Sequence, residues 1–499
     1  AITDYGISGT TLMENAGRRI VETMERVLNP LTGRRVLVIC GRGNNGGDGF
    51  VTARLLSEHG VPVSCVLIGE LASLTGDARA AADRLQNAGV SIREASTEEE
   101  IRQLVRTHNV IVDAIFGTGL NSAPRGLAAA AITAINTSRA VVIAADIPSG
   151  VDSDTGTACE PAVRAHHTVT MGLAKLGLWL YPGRVLSGQV HVAEIGFPAE
   201  LIDSAGNAFL IEKSDIPSFL PPRPPDGHKG TFGTALIVAG SGSFSGAACL
   251  CALACVRAGA GLTRLAIPRS LGPEVTAAAL EPVKLLLPET EERTLSSAAL
   301  PEILAASEAA DAVAIGPGLT VQPEVRSLTI QLIPRLNKPL VIDADAINAL
   351  ATAPDLLNRL PQRAVITPHP GEMARLLGIS AAEVNRLRVD IARRFAAEHR
   401  CVVVLKGAAT VIASPDNRVF VNPTGNNGLG SGGTGDVLTG FITGLLAQGS
   451  PELNAAIAAT FLHGLAADLG ATELTQYCLT ASDLLGYLPR AFSSVIETT

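Results

Sequence analysis

A glycine-rich segment near the carboxyl end of the chain combines an anion-binding pattern with a carboxylate. Residues 422–436 read Asn-Pro-Thr-Gly-Asn-Asn-Gly-Leu-Gly-Ser-Gly-Gly-Thr-Gly-Asp, and the apolar pattern that follows predicts a helix. Backbone N–H groups exposed at a helix amino end attract phosphate. A carboxylate beside phosphate is unfavourable unless it handles a proton or a cation, so Asp436 predicts chemistry as well as binding. A flexible turn with Asp436 as a helix cap is the alternative.

A second glycine loop stands near the amino end, where residues 41–49 read Gly-Arg-Gly-Asn-Asn-Gly-Gly-Asp-Gly between a predicted strand and a predicted helix. That context is typical of a phosphate cradle. Oxygen-bearing side chains in this loop and at two later positions are Asn44, Asn45, Asp48, Asp113 and Ser149. A set of oxygen ligands favours an alkali or alkaline-earth cation over zinc. Asx turns and helix caps are the alternative use of these residues.

Two further features of the first half lie at predicted strand ends. Phe116-Gly-Thr-Gly-Leu120 is a second backbone cradle, and both loops could hold one diphosphate. Asp146 could bind a ribose or a polar ring, or exchange a proton, because ligands of open α/β sheets bind beyond the carboxyl ends of strands. Its alternative role is to cap the turn at Pro148.

Four segments of the second half predict loops that converge on the glycine-rich segment. Lys406-Gly-Ala-Ala-Thr410 follows a strand and could take up phosphate or ribose. Residues 367–372, Thr-Pro-His-Pro-Gly-Glu, hold His369 in an extended loop where its ring can face a ligand, although a solvated loop histidine is the alternative. Residues 316–319 form a close-approach loop, and residues 243–248 begin a helix.

Runs of β-forming residues position these loops. In the first part they span residues 35–40, 62–68, 110–113, 140–145, 167–170 and 188–193, and in the second 235–239, 312–315, 339–342, 364–366 and 401–405. Continuous apolar strands separated by amphipathic helices predict an α/β fold with parallel sheets covered on both faces, the first resembling a doubly wound Rossmann-like domain. Five prolines in residues 217–225 indicate a domain joint. We predict domains at residues 1–208 and 209–499.

Composition restricts the class of protein. With 499 residues and 47% hydrophobic content the chain predicts large cores, and its net charge of −8 argues against nucleic-acid and anionic-membrane partners. Eight scattered cysteines without metal-site spacing predict a reducing cytoplasm. The longest uncharged run, residues 231–256, predicts strand, loop and buried helix rather than a membrane span. No secretory signal is visible, and the start at Ala1 suggests a trimmed amino end.

The amino-terminal motifs resemble the NAD(P)H-hydrate epimerase family over roughly the first 200 residues. The resemblance is carried by residues 44–49, 112–120 and 146–152. It implies that the R and S forms interconvert at the hydrated nicotinamide C6, with Asp146 as the candidate for moving a proton. The implied substrate contacts are Asn44, Asn45, Gly46, Gly47, Asp48, Gly117, Thr118, Gly119, Leu120, Asn121, Ser122, Ala123 and Asp146. The implied potassium ligands are Asn45, Asp113 and Ser149.

Residues 226–490 resemble the ribokinase-like fold, and most closely its ADP/ATP-dependent NAD(P)H-hydrate dehydratase branch. The resemblance rests on the segments around His369, Lys406 and Asp436 and departs from the family pattern at Asn427, Leu429 and Gly430. The implied contacts to the hydrated dinucleotide are Ala247, Gly318, His369 and Asp436. The implied contacts to the adenine nucleotide are Lys406, Gly407, Ala408, Ala409, Thr410 and Gly435.

Together these resemblances imply a bifunctional enzyme that repairs hydrated NADH and NADPH. Asp436 would assist attack of the substrate hydroxyl on the terminal phosphoryl group, and loss of phosphate would restore the reduced dinucleotide. Mg²⁺ is expected with the nucleotide, ADP is favoured over ATP by the fused arrangement, and a homo-oligomer is expected. The alternatives are a small-molecule vitamin or sugar kinase and an amino-terminal ligand-binding module.

Overall fold

The computed structural model describes residues 2–120 and 122–496 and divides the chain into two compact units. The amino-terminal unit ends at Gly206, and the carboxyl-terminal unit begins at Asn207. This division lies two residues before the predicted boundary, because Ala208 begins a strand of the second unit's sheet. The proline-rich residues 217–225 follow that strand and therefore lie inside the second unit rather than at the joint.

Within the described residues, the amino-terminal unit has a seven-stranded parallel sheet in the order β3-β2-β1-β4-β5-β6-β7. The strands are β1 Val36–Cys40, β2 Val63–Leu67, β3 Ile92–Glu94, β4 Val110–Ala114, β5 Val141–Ala145, β6 His167–Met171 and β7 Gln189–Ala193. Six of them confirm predicted runs. The edge strand β3 gave no signal because only Ile92 in it is buried.

Helices cover both faces of this sheet. They are α1 Ile2–Tyr5, α2 Gly9–Leu28, α3 Asn44–Glu58, α4 Gly76–Asn87, α5 Glu98–Thr107, α6 Gly126–Thr137, α7 Gly183–Leu186 and α8 Ala199–Asp203. Alternate residues of β1 join different cores: Val36 and Val38 pack in the core that includes α2 and α3, whereas Leu37 and Ile39 pack in the core that includes α5 and α6. A strand buried on both faces explains the continuous apolar run.

The carboxyl-terminal unit has, in its described part, ten strands in the order β11-β10-β9-β12-β13-β14-β15-β16-β17-β8. They are β8 Ala208–Leu210, β9 Thr234–Val238, β10 Leu262–Pro268, β11 Val283–Leu287, β12 Ala312–Ile315, β13 Leu340–Ile342, β14 Ala364–Ile366, β15 Val402–Leu405, β16 Val411–Ala413 and β17 Val419–Val421. The pairs β15–β16 and β16–β17 are antiparallel and the others are parallel. The predicted α/β class is confirmed for both units.

The helices of this unit are α9 Ile216–Phe219, α10 Ser245–Arg257, α11 Gly272–Ala278, α12 Leu300–Glu308, α13 Pro323–Leu332, α14 Ala344–Ala351, α15 Pro370–Leu377, α16 Ala381–Arg386, α17 Arg388–His399, α18 Thr434–Ala447, α19 Glu452–Cys478 and α20 Ala481–Val495. The uncharged run 231–256 forms β9, a loop and α10, as predicted. Among the described helices, α19 is long and apolar enough to span a membrane, but 72% of its apolar window is buried inside the unit, as in a core helix.

Candidate active sites

The first glycine loop is pressed against the ends of β1 and β4. A Cβ at Gly46 would collide with the carbonyl oxygen of Gly41, and a Cβ at Gly49 would lie 2.7 Å from the side chains of Ala114 and Cys40. Helix α3 begins inside this segment, at Asn44 and not after Gly49, and its N-cap residue, Gly43, has no side chain to bond the first N–H groups. These glycines are therefore required by close packing, and they leave the amino end of α3 without a side-chain cap.

The three predicted potassium ligands lie together around the end of β4. Ser149 donates to Asp113 through Oγ at 2.6 Å and through its backbone N–H at 2.8 Å. Asn45 donates from Nδ2 to the carbonyl oxygen of Phe116 at 2.9 Å, and the Phe116 N–H donates to Ser149 Oγ at 2.8 Å. The two glycine loops of this unit are thus joined through side chains of the predicted cation site.

The chemistry of this cluster fits an alkali cation. Asn45 Oδ1 is buried and has no hydrogen-bond partner within the described residues. Burial raises the pKa of Asp113 to about 6, against the opposing effect of the bonds from Ser149. A bound cation would favour the charged carboxylate and supply the partner that Asn45 Oδ1 lacks. In the part of the chain that the structure describes, no three His, Cys, Asp or Glu side chains cluster as a metal site.

Asp146 lies at the end of β5 with a left-handed backbone, φ 65°. Its Oδ1 atom accepts hydrogen bonds from Lys175 Nζ at 2.5 Å, from the Met171 N–H at 3.0 Å and from Thr170 Oγ1 at 3.3 Å. Thr170 and Met171 are the last two residues of β6, and Lys175 follows that strand. The Asp146 carboxylate therefore does not cap the turn at Pro148, which was its alternative role.

Asp48 belongs to the same cluster. Burial and the negative charge of Asp146 raise the pKa of Asp48 well above its ordinary value, whereas Lys175 acts to lower it. The second turn of α3, the end of β5 and the segment after β6 therefore bring two carboxylates and one ammonium together. This edge of the sheet is where an open parallel sheet binds ligands.

The remaining predicted substrate contacts of this unit form an open rim. Gly117 packs against Asn45, whose Cβ would lie 3.3 Å from a Cβ placed on Gly117, and the Leu120 N–H donates back to the Gly117 carbonyl oxygen at 3.3 Å. Thr118, Gly119, Ser122 and Ala123 are exposed, and Asn121 lies outside the described residues.

In the carboxyl-terminal unit, Asp436 lies in the first turn of α18, after the N-cap residue Gly433. The six glycines of residues 422–436 serve different purposes. Gly425 and Gly433 have left-handed backbones, with φ of 100° and 92°. Gly430 and Gly432 have neither a left-handed backbone nor any atom within 4 Å of a Cβ position, so open space surrounds them. That space admits a close-lying ligand.

Helix α19 holds this loop from behind. Asp468 accepts from the Gly425 N–H and from Asn426 Nδ2, both at 2.9 Å, and His463 bonds the carbonyl oxygen of Thr434 at 2.9 Å. Burial lowers the pKa of His463 to about 4, so the ring is neutral and its Nε2 donates. Leu429, one of the departures from the family pattern, packs against the core and is accommodated there.

A buried ion pair lies next to Asp436. Asp343, which follows β13, accepts from Lys406 Nζ and from Thr439 Oγ1, both at 2.7 Å. Burial, followed by the charge of Asp343, raises the pKa of Asp436 to about 7, and Lys406 opposes this rise. Burial acts to lower the pKa of Lys406, but Asp343 and Glu372 outweigh it and the pKa is raised. Asp436 can thus gain or lose a proton near neutral pH, while Lys406 stays charged.

His369 has an extended backbone, as predicted, but its ring also caps α15. Nδ1 accepts from the N–H groups of Gly371 at 3.0 Å and Glu372 at 3.4 Å, and the Glu372 carboxylate accepts from the His369 N–H at 2.8 Å. Burial and the charge of Lys406 lower the pKa of the ring. The side chain remains 50% exposed, which leaves one side of the ring open to a ligand.

The predicted dinucleotide contacts Ala247 and Gly318 are neighbours. Gly318 has a left-handed backbone, φ 64°, and its Cβ position lies 3.0 Å from the Ala247 Cβ. The Gly240 N–H donates to the carbonyl oxygen of Pro317 at 2.8 Å, which ties the loop after β12 to the loop after β9. The structure therefore brings the predicted contacts of this unit to the carboxyl ends of β9 and β12 to β15.

Comparison with known proteins assigns both units. A family model described as NAD(P)H-hydrate dehydratase matches residues 235–490, and one described as YjeF-related protein N-terminus matches residues 9–177. The bifunctional NAD(P)H-hydrate repair enzyme Nnr of Moorella thermoacetica is 42% identical over 502 residues, which cover 100% of this chain and 95% of that protein. The chain belongs to the bifunctional NAD(P)H-hydrate repair enzyme family.

Other members and solved structures agree with this assignment. The repair enzyme of Escherichia coli is 37% identical over 92% of this chain and 85% of its own length. The ADP/ATP-dependent NAD(P)H-hydrate dehydratase of Bacillus subtilis, co-crystallised with ATP and Mg²⁺, is 33% identical with a TM-score of 0.50, covering 58% of this chain and 100% of that protein. A ribokinase-like superfamily protein of Enterococcus faecalis is 26% identical with a TM-score of 0.52, and the match covers 58% of this chain and 98% of that protein. The ribokinase-like fold of the second unit is thereby confirmed.

Two residues that the sequence reasoning missed complete the sites of this repair-enzyme chain. One is Lys175, the partner of Asp146; it is the single lysine among residues 1–206, in a chain with six lysines and 33 arginines. Because lysine is so rare in this arginine-rich chain, a single lysine in the first 206 residues is a signal that could have pointed to Lys175.

The other missed residue is Arg388 at the start of α17. Its guanidinium donates to the carbonyl oxygens of Ala408 at 2.5 Å, Lys406 at 3.1 Å and Leu405 at 3.3 Å, and only 6% of the residue is exposed. Gly407 has φ 140°, and its Cβ position lies 2.8 Å from Arg388 Nη2. Arg388 therefore fixes the loop of predicted nucleotide contacts, residues 406–410.

Proposed function

We propose that this chain repairs hydrated NADH and NADPH in two steps. The amino-terminal unit interconverts the R and S hydrates, and the carboxyl-terminal unit dehydrates the S hydrate at the expense of an adenine nucleotide. The observation that carries the proposal is the presence, in one chain, of both strand-end sites: the Asp48, Asp146 and Lys175 cluster and the Asp436, Lys406 and Asp343 cluster. Epimerisation is needed because dehydration of one epimer would leave the other unrepaired.

In the first step the dinucleotide would lie across the loops that follow β1 and β4. Asn44 to Asp48 and Gly117 to Ala123 would bind it through backbone N–H groups and side-chain amides. Asn45, Asp113 and Ser149 would hold K⁺, which supplies a fixed positive charge beside the diphosphate. The support for this cation site is the oxygen-only donor set and the unpaired buried Asn45 Oδ1. Asp146 is the residue proposed to move a proton at the nicotinamide ring.

In the second step Asp436 accepts the proton of the C6 hydroxyl as that oxygen attacks the terminal phosphoryl group. The pKa of about 7 suits a base that works near neutral pH. Lys406 and the N–H groups at the start of α18 stabilise the charge that develops on the phosphoryl oxygens. The ring nitrogen then forms a double bond to C6 as the C6–O bond breaks and phosphate leaves. Loss of the C5 proton restores the reduced nicotinamide.

The nucleotide is proposed to be ADP rather than ATP, from the fused arrangement of the two units. Lys406 to Thr410 and Gly435 would contact it, and Ala247, Gly318, His369 and Asp436 would contact the hydrate. Mg²⁺ would enter with the nucleotide phosphates, since this ion is usually bound through one or two carboxylates and substrate phosphates. Assembly into a homo-oligomer and a cytoplasmic location stay predictions.

A coupled recovery assay tests the proposal. The chain is mixed with R and S NADH hydrates and either ADP or ATP, and the absorbance of reduced nicotinamide is followed. Full recovery requires both activities, whereas recovery of one epimer alone would contradict the assignment of the amino-terminal unit. Nucleotide consumption with a hydroxymethylpyrimidine, thiazole or pyridoxal and none with the hydrates would indicate the kinase alternative. Asp436→Asn should abolish recovery and preserve epimer exchange, while the exposed Asp390→Asn serves as the control.

A further inference from the structure

Lys175 has a hydrogen-bonding capacity that the fold does not use. An ammonium group has three N–H donors. Two of them go to Asp146 Oδ1 at 2.5 Å and to the carbonyl oxygen of Met171 at 2.8 Å, and the third has no acceptor within the described residues. The side chain is 20% exposed at the carboxyl edge of the sheet. A ligand at this edge can therefore reach the remaining N–H.

Asp146 shows a matching asymmetry. All three donors that reach its side chain, from Lys175, Met171 and Thr170, go to Oδ1, and Oδ2 has no partner in the described part of the chain. The backbone of Asp146 is left-handed, φ 65°, a conformation that residues with a side chain rarely adopt. Oδ1 is thus saturated by the protein, while Oδ2 remains available for a substrate proton.

We propose that Lys175 is a catalytic residue of the epimerisation and acts with Asp146 as an acid–base pair on the C6 hydroxyl. The inference rests on the proposed function of the amino-terminal unit. Asp48 lies close enough for the charge of Asp146 to act on it: burial and then Asp146 raise the pKa of Asp48.

The pair can complete the reaction without any other reactant than water. Lys175 donates a proton to the C6 hydroxyl, the lone pair of the ring nitrogen forms a double bond to C6, and the C6–O bond breaks to release water. The planar ring then turns about its bond to the ribose and presents its other face to the pair. Water adds to that face of C6, the π pair returns to the nitrogen, and Asp146 Oδ2 accepts the proton. The proton on Asp146 Oδ2 is then released to water, Lys175 takes up a proton from water, and the pair is restored.

A structural role predicts a different outcome for one substitution. If Lys175 only balanced the charge of Asp146 and tied down the segment after β6, an arginine would replace it, since guanidinium keeps the charge and the donors. An arginine does not release its proton in proteins, so it would fail as an acid. Lys175→Arg therefore separates the two roles, and Lys175→Met removes both charge and donor.

The experiment uses the full chain with purified R hydrate of NADH and no nucleotide, and chromatography follows the appearance of the S hydrate. We expect Lys175→Arg and Lys175→Met each to slow interconversion by about 100-fold or more. Dehydration of the S hydrate with ADP should stay at the wild-type rate because it takes place in the other unit, and an unchanged melting temperature would show that the amino-terminal unit is folded. Arg139→Met, an exposed cation at the amino edge of the same sheet, is the matched control.

Two results would overturn the proposals, and they are distinguishable. Wild-type interconversion by Lys175→Arg would refute the catalytic role of Lys175 and leave the proposed function intact. A wild-type chain that does not interconvert the hydrates would refute the proposed function of the amino-terminal unit itself.

Discussion

Asp343 and Lys406 form an ion pair with 2.7 Å between Oδ1 and Nζ, and the Asp343 side chain is only 1% exposed. The pair joins the end of β13 to the end of β15, and Thr439 extends it to α18. Burial raises the pKa of Asp436 most, Asp343 adds to the rise and Lys406 opposes it, so the pair adjusts the protonation of the proposed base. The fold thus controls the chemistry of one carboxylate through a pair of residues that lie on two other elements.

The pH dependence of dehydration should reveal this control. The pKa of Asp436 is raised to about 7, so its carboxylate form increases as the pH rises through that value. We expect kcat/KM for the S hydrate to rise about tenfold per pH unit below about pH 7 and to level above it. Asp345→Asn removes a further charge that raises this pKa and should move the rise to lower pH. A flat profile would contradict the role of Asp436 as a base.

Arg388 should affect nucleotide binding and not hydrate binding. Arg388→Lys keeps the positive charge but cannot reach three carbonyl oxygens at once, so the loop 406–410 loses its support. We expect the KM for ADP to rise about tenfold, the equivalent of about 1.4 kcal/mol, with the KM for the hydrate unchanged. Steady-state kinetics with each substrate varied in turn measures this. Arg386→Lys, on an exposed residue, is the control, and an equal rise in both KM values would indicate general damage instead.

Two adjacent glycines should respond differently to alanine. Gly433→Ala places a side chain on a left-handed backbone, at a cost of about 1 to 2 kcal/mol, and within 2.7 Å of Leu250. Gly432→Ala meets neither obstacle. We expect Gly433→Ala to lower the melting temperature and Gly432→Ala to keep it while raising the KM for the nucleotide. An equal loss of stability in both variants would show that Gly432 serves the fold and not the ligand.

The proposed cation site should appear as a stability that depends on potassium. A ligand that binds only the folded chain stabilises it by about 1.4 kcal/mol at ten times its Kd. Thermal unfolding in KCl and in choline chloride of equal ionic strength measures this difference. Asn45→Ala removes the unpaired Oδ1, so we expect it to abolish the difference, while the lost hydrogen bond to Phe116 lowers stability by about 1 kcal/mol in both salts. An identical potassium effect in wild type and variant would place the cation elsewhere.

Much of the framework was predictable from the sequence because burial on both faces leaves a continuous apolar signal. The five residues of β1 are all buried, and the sequence placed this strand and the glycine-rich segment that follows it. The pairing of Asp146 with Lys175 was not predictable, since 29 residues separate them and only the adjacency of β5 and β6 brings them together. The ring of His369 was missed as a cap because the capping-box pattern is defined by serine and threonine.

The strand β8 shows the same limit over a longer range. It pairs in parallel with β17, more than 200 residues later, and a segment of three residues gives no periodic signal. The prolines of residues 217–225 indicated a domain joint, but the pairing of β8 with β17 places the division between the two units earlier, at Gly206 and Asn207.

The position of β8 determines how the carboxyl-terminal unit can be produced alone. A fragment that begins after the prolines, at Asp226, would lack β8 and leave unpaired the backbone groups of β17 that face away from β16. Such an open edge invites pairing with other molecules and aggregation. A fragment that begins at Asn207 retains the strand, and the Asn207 carbonyl oxygen still accepts from the Val419 N–H at 2.7 Å. Limited proteolysis should accordingly yield a soluble carboxyl-terminal fragment only when cleavage falls before residue 207.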